Sequence, residues 1–159
     1  MTADKSKKIN FYLLFHMNLM FSSIDEKSRE EIIKKCYWPL LDLAKNDVKI
    51  AIEAPGLTLE IIKNIDRSFI EVMKDLIFEG KIQFIGSGYS QIIGPLVPTQ
   101  LNNWNMSIGN KVYNDILSYQ PHTALINEMA FSSSLINHYI SNNYKTVIIE
   151  WKTNRIWWT

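Results

Sequence analysis

The 159-residue sequence has little of several features that would each point to a class of protein. Its single cysteine, Cys36, excludes an internal disulfide and a cysteine-based zinc site, and we expect it to be a small buried residue in a reducing compartment. No apolar run approaches the roughly 18 residues that a membrane span needs, so we predict a cytoplasmic protein with no membrane partner. A net charge of +1 leaves no basic excess, which predicts no nucleic-acid partner.

The sequence also lacks the short motifs of several enzyme classes. The Gly-x-Ser-x-Gly elbow of serine hydrolases is absent. The stretch Gly86-Ser87-Gly88 lacks the lysine and the third glycine of a phosphate-binding loop, and its glycines fit a tight turn that a ligand can approach closely. The three histidines, His16, His122 and His138, fall in separate predicted elements. We therefore predict no metal site and no cofactor.

What the sequence does contain is an alternation of short apolar runs with segments of helical periodicity. Hydrophobic residues make up 47% of the chain, which is enough to build a core. The patterns predict five strands, at residues 9–15, 48–52, 81–85, 123–126 and 147–149. Strands and helices that alternate in this way indicate an α/β fold with a parallel sheet and right-handed crossovers.

The predicted helices carry start and stop signals. Ser23 and Glu26 form a candidate capping box, and Pro39 should kink or split the helix that follows. Asp66 is a good N-cap for a later helix, and Gly80 is a good C-terminal stop. A long helix from Thr99 and a helix capped by Ser132 or Ser133 complete the pattern. Their predicted core-facing residues are Leu101, Trp104, Ile108, Val112 and Ile116 in the first, and Leu135, Ile136, Tyr139 and Ile140 in the second.

Polar side chains collect where the predicted strands end. Because parallel strands place their carboxyl ends at one rim of the sheet, these side chains should line a single pocket there. Glu128 is the candidate catalytic carboxylate. The candidate substrate-binding residues are His16, Asn18, Glu53, Ser87, Tyr89, Asn127 and Trp151, the last because an aromatic face packs well on a sugar ring.

Two of these candidates have equally ordinary structural interpretations. His16 could be a core histidine whose hydrogen bonds are satisfied, although the sequence His-x-Asn at a strand end favours a functional role. Glu53 could hold a loop backbone in place rather than contact a substrate. Neither residue type decides between the two roles without the geometry of its surroundings.

Three segments, taken together, resemble a known family. Phe15–Leu19, Gly80–Gly86 and Leu125–Glu128 resemble, in order and approximate spacing, the first three conserved regions of glycoside hydrolase family 57. The segment Gly86–Pro98 is similar to the loop that follows the second region. This chain has His-Met-Asn where the family commonly has His-Gln-Pro, and Leu-Ile-Asn-Glu where the family commonly has Trp-Leu-Pro-Glu, which indicates a divergent branch.

The resemblance implies a fold, a reaction and residue roles. The fold would be an incomplete (β/α)7 barrel, with residues 1–159 as the N-terminal portion and about five β/α units. The reaction would cleave glycosidic bonds of an α-glucan-type polysaccharide or oligosaccharide with retention of configuration. The family's glutamate nucleophile corresponds to Glu128, and its sugar-lining histidine corresponds to His16. Its aspartate acid/base would lie beyond residue 159, so we expect this chain alone to be inactive.

Three other interpretations remain open. The first is a barrel module that binds carbohydrate without catalysis, and a strand-end carboxylate in the downstream sequence would distinguish the enzyme from it. The second is a metal-dependent polysaccharide deacetylase, which needs an aspartate and two histidines; neither Asp-Asp nor His-x-x-x-His occurs here. The third is a five-stranded domain complete in itself. The sequence makes no prediction of oligomeric state.

Overall fold

In the computed structural model, which describes residues 11–150, strands alternate with helices along the chain. The strands are β1 (Leu14–His16), β2 (Ile50–Glu53), β3 (Ile82–Ile85), β4 (Thr123–Leu125) and β5 (Thr146–Ile148). The α-helices are α1 (Arg29–Ile32), α2 (Trp38–Lys45), α3 (Gly56–Ile65), α4 (Arg67–Phe78), α5 (Thr99–Leu117) and α6 (Ile136–Ser141). Across residues 11–150, no helix has both the length and the apolar character needed to cross a bilayer.

All strand pairs are parallel, and the strands follow one another in sequence order. One sheet has the order β1-β2-β3, and β4 pairs with β5. A bridge between Gly86 and Ala124 joins the two groups, and the Leu125 N–H donates to the Gly86 carbonyl at 2.8 Å. The predicted α/β class with a parallel sheet is therefore confirmed.

The main core lies between the first three strands and helices α2 to α5. Helix α4 buries Phe69, Met73, Leu76 and Ile77, as its periodicity predicts. The two signals that bound this helix are also confirmed. The Asp66 side chain accepts a hydrogen bond from the Phe69 N–H at 3.1 Å, and Gly80 has a positive φ of 70° after the last turn. Each fully buried apolar side chain of this kind contributes about 1.5–3 kcal/mol to stability.

The first helical region differs from its prediction in two respects. A π-helical segment, Ile33–Tyr37, lies immediately before α2, whose second residue is Pro39, so the predicted interruption is confirmed. The predicted capping box is wrong, because the first 3₁₀ turn, Glu26–Ser28, has Asp25 at its N-cap and no side-chain cap bond. The prediction that Cys36 is buried is also wrong, because Ile33 and Tyr37 occupy the buried face and leave the thiol exposed.

Helix α5 is rotated relative to its predicted orientation. Val112 and Ile116 are buried as predicted, but Leu101, Trp104 and Ile108 are 41%, 56% and 46% exposed. The buried face is centred on Gly109, which lies five residues, or about 140° around the helix, from Trp104. On α6 the same error occurs, since Ile136 and Ile140 are exposed. Apolar periodicity located both helices but assigned their inner faces incorrectly.

Gly109 sets that rotation because its backbone contacts the loop after β3. A Cβ at this position would lie 2.4 Å from the Gly88 carbonyl carbon and 2.7 Å from the Tyr89 nitrogen. Real Cβ atoms do not approach backbone atoms this closely, so any side chain must displace either the helix or the loop. The glycine therefore allows α5 to lie directly against the loop that carries several of the predicted site residues.

We predict that Gly109→Ala destabilises the protein although alanine favours helix by about 1 kcal/mol. Overpacking against backbone costs about 1–3 kcal/mol or more, so the packing effect should exceed the propensity effect. Chemical denaturation should show a lower free energy of unfolding. The control is Ser107→Ala at an exposed position of the same helix, which should change that free energy by less than about 0.5 kcal/mol. A Gly109→Ala protein as stable as wild type would contradict the packing.

Candidate active site

A buried carboxylate connects the ends of the first three strands. Glu53, the last residue of β2, is fully buried and has both carboxylate oxygens hydrogen-bonded. Oε2 bonds to His16 Nδ1 at the end of β1, and Oε1 accepts a hydrogen bond from the Ser87 hydroxyl after β3. Because a buried charge is costly unless it is paired and hydrogen-bonded, this arrangement fixes the three strand ends relative to one another.

His16 is the exposed member of this group, with 42% of its side chain accessible. The hydrogen bond that His16 donates to Glu53 raises the pKa of His16 above its ordinary value of 6.5, against the opposing effect of partial burial. The negative charges of Glu53 and Glu128 raise this pKa further. The imidazole therefore keeps a proton to a higher pH than a free histidine, and in its protonated form it places a positive charge near Glu128.

A buried tyrosine of α5 fixes the loop after β3 through hydrogen bonds to its backbone. The Tyr113 hydroxyl of α5 donates to the Gly88 carbonyl at 2.7 Å and accepts from the Ser87 N–H at 3.1 Å. It also lies 3.1 Å from the Ala54 carbonyl, next to the end of β2. Burial raises the pKa of Tyr113, so the hydroxyl keeps its proton at all physiological pH values.

A cleft of about 380 Å³ opens above this network. Glu128 is the one carboxylate among the described residues that line it, and Gln91 Nε2 donates a hydrogen bond to Glu128 Oε1. One part of the cleft is apolar and includes the exposed side chains of Met20 and Phe21. The complete lining is Asn18, Met20, Phe21, Ser22, Pro55, Leu57, Thr58, Ser90, Gln91, Ile93 and Glu128. Polar groups beside an apolar surface suit a ligand with both hydroxyl groups and apolar ring faces.

The backbone at Glu128 has an uncommon conformation. Glu128 and the following Met129 have φ values of 54° and 52°, in the left-handed region that residues with a side chain seldom adopt. They lie in a 3₁₀ turn, Asn127–Met129, directly after β4. Such conformations cost about 1–3 kcal/mol each and cluster at functional sites, where the surrounding structure enforces them. Here the turn directs the Glu128 side chain into the cleft.

The structure brings several of the predicted site residues together at this rim. Asn18 and Glu128 both line the cleft. His16, Glu53 and Ser87 form one hydrogen-bonded group at the ends of β1, β2 and β3. Glu53 is too deeply buried to contact a substrate, so its contribution to the site is to hold His16. Its partners are side chains rather than the loop backbone that the alternative interpretation proposed.

Two other predicted residues, Tyr89 and Asn127, are placed elsewhere, and a third is not described. The Tyr89 hydroxyl donates to Glu60 on α3 at 3.0 Å, and Tyr89 does not line the cleft. Asn127 is buried, and its Nδ2 donates to the carbonyls of Ser87 and Ser90 at 3.1 and 3.5 Å, so it supports the loop. Trp151 lies outside the described residues.

Sequence reasoning missed Gln91 and Tyr113. Gln91 is a polar residue of a long loop and belongs to no motif. Its importance is evident only from its contacts with the Asn18 and Glu128 side chains. Tyr113 occupies a helix position whose burial the apolar stripe did not predict. The glycine pair of the loop, Gly86 and Gly88, was the available signal that a helix lies close by.

Within residues 11–150, no three histidine, cysteine, aspartate or glutamate side chains lie close enough together to hold a metal ion. Two of the histidines bond to protein groups: His16 pairs with Glu53, and His138 Nδ1 lies 2.6 Å from Asn103 Oδ1. The described residues therefore do not assemble the aspartate and two histidines that the deacetylase alternative needs.

Comparison with known proteins identifies the family. The sequence matches glycosyl hydrolase family 57 over residues 6–158. The chain belongs to this family. The family resemblance seen in the three sequence segments is thereby confirmed.

Individual members of the family are distant from this chain. A curated relative, the α-amylase of Pyrococcus furiosus, is 24% identical over 90 residues, which span 50% of this chain and 14% of the relative. The structure of the 4-α-glucanotransferase of Thermococcus litoralis superposes with a TM-score of 0.76 at 16% identity, over 88% of this chain and 22% of that protein. The α-amylase AmyC of Thermotoga maritima gives 0.72 at 15% identity, over 87% of this chain and 39% of that one. The chain thus spans well under half of each of these proteins.

We predict that the His16–Glu53 pair makes stability depend on pH. Because the folded-state pKa of His16 is raised, its contribution is full below the unfolded value, near 6.5, and is lost as the pH rises through the higher folded value. His16→Gln should therefore destabilise the protein more at pH 6 than at pH 9, as measured by denaturation. His122→Gln, at an exposed histidine, is the control. An equal loss from His16→Gln at both pH values would contradict the pairing.

Proposed function

We propose that this chain supplies one half of the active site of an enzyme that cleaves or transfers α-glucans with retention of configuration, with Glu128 as the nucleophile. It would form the N-terminal portion of an incomplete (β/α)7 barrel, with about five β/α units. The observation that carries the proposal is the position of Glu128: it lies after a parallel strand, on a left-handed backbone, and reaches a cleft near His16, whose pKa is raised in part by the Glu128 charge. Family membership and the α-glucan enzymes among the relatives support the substrate class.

The mechanism requires an ionised nucleophile and a second carboxyl group. In retaining enzymes two carboxyl groups lie about 5–5.5 Å apart; one attacks the anomeric carbon, and the other protonates the leaving oxygen and then activates water. Gln91 donates a hydrogen bond to Glu128, and the Glu128 charge contributes to the raised pKa of His16 nearby. The proposed nucleophile therefore has a hydrogen-bond donor and an imidazole as its neighbours.

The second carboxyl group does not have a candidate in the described cleft. Glu53 is buried and engaged by His16 and Ser87, and Glu128 is the one acid among the described lining residues. The described residues that line the cleft therefore supply no acid/base, and another segment would have to provide it. The lining fits a glucan, since Phe21 and Met20 offer an apolar surface and Asn18 offers hydrogen bonds to hydroxyl groups.

We predict that Glu128→Gln, in the protein that contains this chain together with its acid/base, lowers kcat on an α-glucan by several orders of magnitude. The amide keeps the shape and the bond to Gln91 but cannot form the glycosyl-enzyme intermediate. Oligosaccharide affinity and thermal stability should remain close to wild type. Glu71→Gln, at an exposed position of α4, is the matched control and should keep full activity. Turnover by Glu128→Gln near the wild-type rate would refute the nucleophile assignment.

A second prediction concerns the 159-residue chain by itself. It should show no measurable hydrolysis of an α-glucan or of an activated aryl glycoside, because the acid/base is missing. Weak binding of maltooligosaccharides should persist, and resonances of Asn18 and Phe21 should shift on addition of sugar. Hydrolysis that the chain catalyses, and that Glu128→Gln removes, would show instead that both catalytic groups lie within it.

A further inference from the structure

We infer that Asn18 and Gln91 form a directional hydrogen-bond relay that always presents an N–H donor, and never a carbonyl oxygen, to Glu128. Gln91 is then a positioning residue that acts on the reaction through Glu128. The inference rests on the proposed function for the importance of Glu128, but its geometry does not depend on that role. It gives a function to the loop residue that sequence reasoning missed.

The direction of the relay begins at a backbone group. The Met20 N–H can only donate, and it lies 2.9 Å from Asn18 Oδ1. That contact holds the oxygen of the Asn18 amide toward Met20. The NH₂ of Asn18 must then point the other way, toward Gln91. The backbone thus decides the orientation of a side-chain amide that would otherwise be free to turn over.

The orientation is passed on to the next amide. Gln91 Oε1 accepts from Asn18 Nδ2, so Gln91 Nε2 is left to donate to Glu128 Oε1. Turning either amide alone would place two oxygens or two NH₂ groups against each other, at the cost of two hydrogen bonds. The three contacts therefore form one consistent set, with every group used as the donor or acceptor that its chemistry allows.

The loop that carries Gln91 is fixed by two asparagines. The neighbouring Ser90 donates its N–H to Asn105 Oδ1 at 2.7 Å, and its carbonyl accepts from Asn105 Nδ2 at 3.1 Å. Asn127 Nδ2 also lies 3.5 Å from that carbonyl, and Asn127 directly precedes Glu128. The backbone of the donor and the backbone of the acceptor are thus tied together. Gln91 does not need to be ordered when a substrate arrives.

The relay has a chemical consequence for Glu128. A hydrogen bond to a carboxylate is about twice as strong as one between neutral groups, so the amide restrains the carboxylate as well as stabilising its charge. The structure places this bond on Oε1. A nucleophile held by one oxygen in this way presents the other, Oε2, to an incoming anomeric carbon in a fixed direction, which is the kind of preorganisation that lowers a barrier.

Substitutions at Asn18, which is linked to Glu128 only through Gln91, test the direction of the relay. In Asn18→Asp the carboxylate still accepts from the Met20 N–H but cannot donate to Gln91. The Gln91 oxygen then has no donor, and the Gln91 NH₂ lies between two carboxylates, so the amide loses its single enforced orientation. Asn18→Leu has similar size and removes the donor without adding a second carboxylate. Glu128→Ala removes the acceptor at the far end of the relay.

The measurement is the exchange of the Gln91 side-chain amide protons with water, followed by NMR in the 159-residue chain, with Gln91→Leu used to assign the signal. Exchange should be slow in wild type and about tenfold faster or more in Glu128→Ala. In Asn18→Asp a second change, Glu128→Ala, should alter the Gln91 signal much less than it does in Asn18→Leu, because the carboxylate at position 18 can accept the NH₂ group and leucine cannot. If Asn18→Asp does not fold, the wild type, Asn18→Leu and Glu128→Ala comparison still decides whether Gln91 donates to Glu128.

Two results would overturn the inference. One is a Gln91 signal that is the same in wild type and Glu128→Ala, which would mean that no bond to Glu128 exists. The other is a Gln91 signal in Asn18→Asp that still responds to Glu128→Ala as it does in Asn18→Leu, which would remove the directional part. Neither result depends on catalysis. Conversely, a Glu128→Gln enzyme that remains active would refute the nucleophile assignment and leave the relay standing.

Discussion

The buried carboxylate of Glu53 is the constraint on which the rest of this structure depends. A charge without water costs several kcal/mol unless it is paired, and its two partners come from different β/α units. His16, Glu53 and Ile85 lie in register across β1, β2 and β3, and Ser87 follows two residues later. The register that pairs β1, β2 and β3 is therefore the one that brings His16 and Ser87 to Glu53. Strands paired in another register would leave the buried carboxylate without these hydrogen bonds.

A second constraint is the close contact between α5 and the loop after β3. Gly109 lets the helix backbone approach Gly88, and Tyr113 then reaches three backbone groups with one hydroxyl. This loop connects the base of the site to its upper part, because Ser87 bonds to Glu53 while Gln91 bonds to Glu128. The packing of α5 against this loop therefore determines where the polar groups of the site lie.

The sequence predicted the elements well and the contacts between them less well. The alternation of strands and helices, the Asp66 cap, the Gly80 stop and the interruption at Pro39 follow from local chemistry, which acts over a few residues. The exposed faces of α5 and α6 could not be predicted, because glycine at position 109 carries no hydrophobic signal although it lies at the centre of the packed face. Periodicity counts apolar side chains and does not register a contact made by backbone.

The candidate site shows the same limit. Polar residues at the ends of parallel strands are expected to converge, and His16, Asn18 and Glu128 do lie at one rim. It could not separate residues that face the cleft from those that support it, such as Glu53 and Asn127, nor detect that the Tyr89 side chain turns to α3. Those differences depend on side-chain direction, which strand-end position alone does not specify.

The strand order also has a consequence for biosynthesis. Every strand in the described part of the chain pairs with its neighbour in sequence, so each pairing closes a loop of only a few dozen residues and none must wait for a distant segment. His16, Glu53 and Ser87 all precede Glu128 in the sequence, so the ribosome makes the whole hydrogen-bonded group before it reaches Glu128.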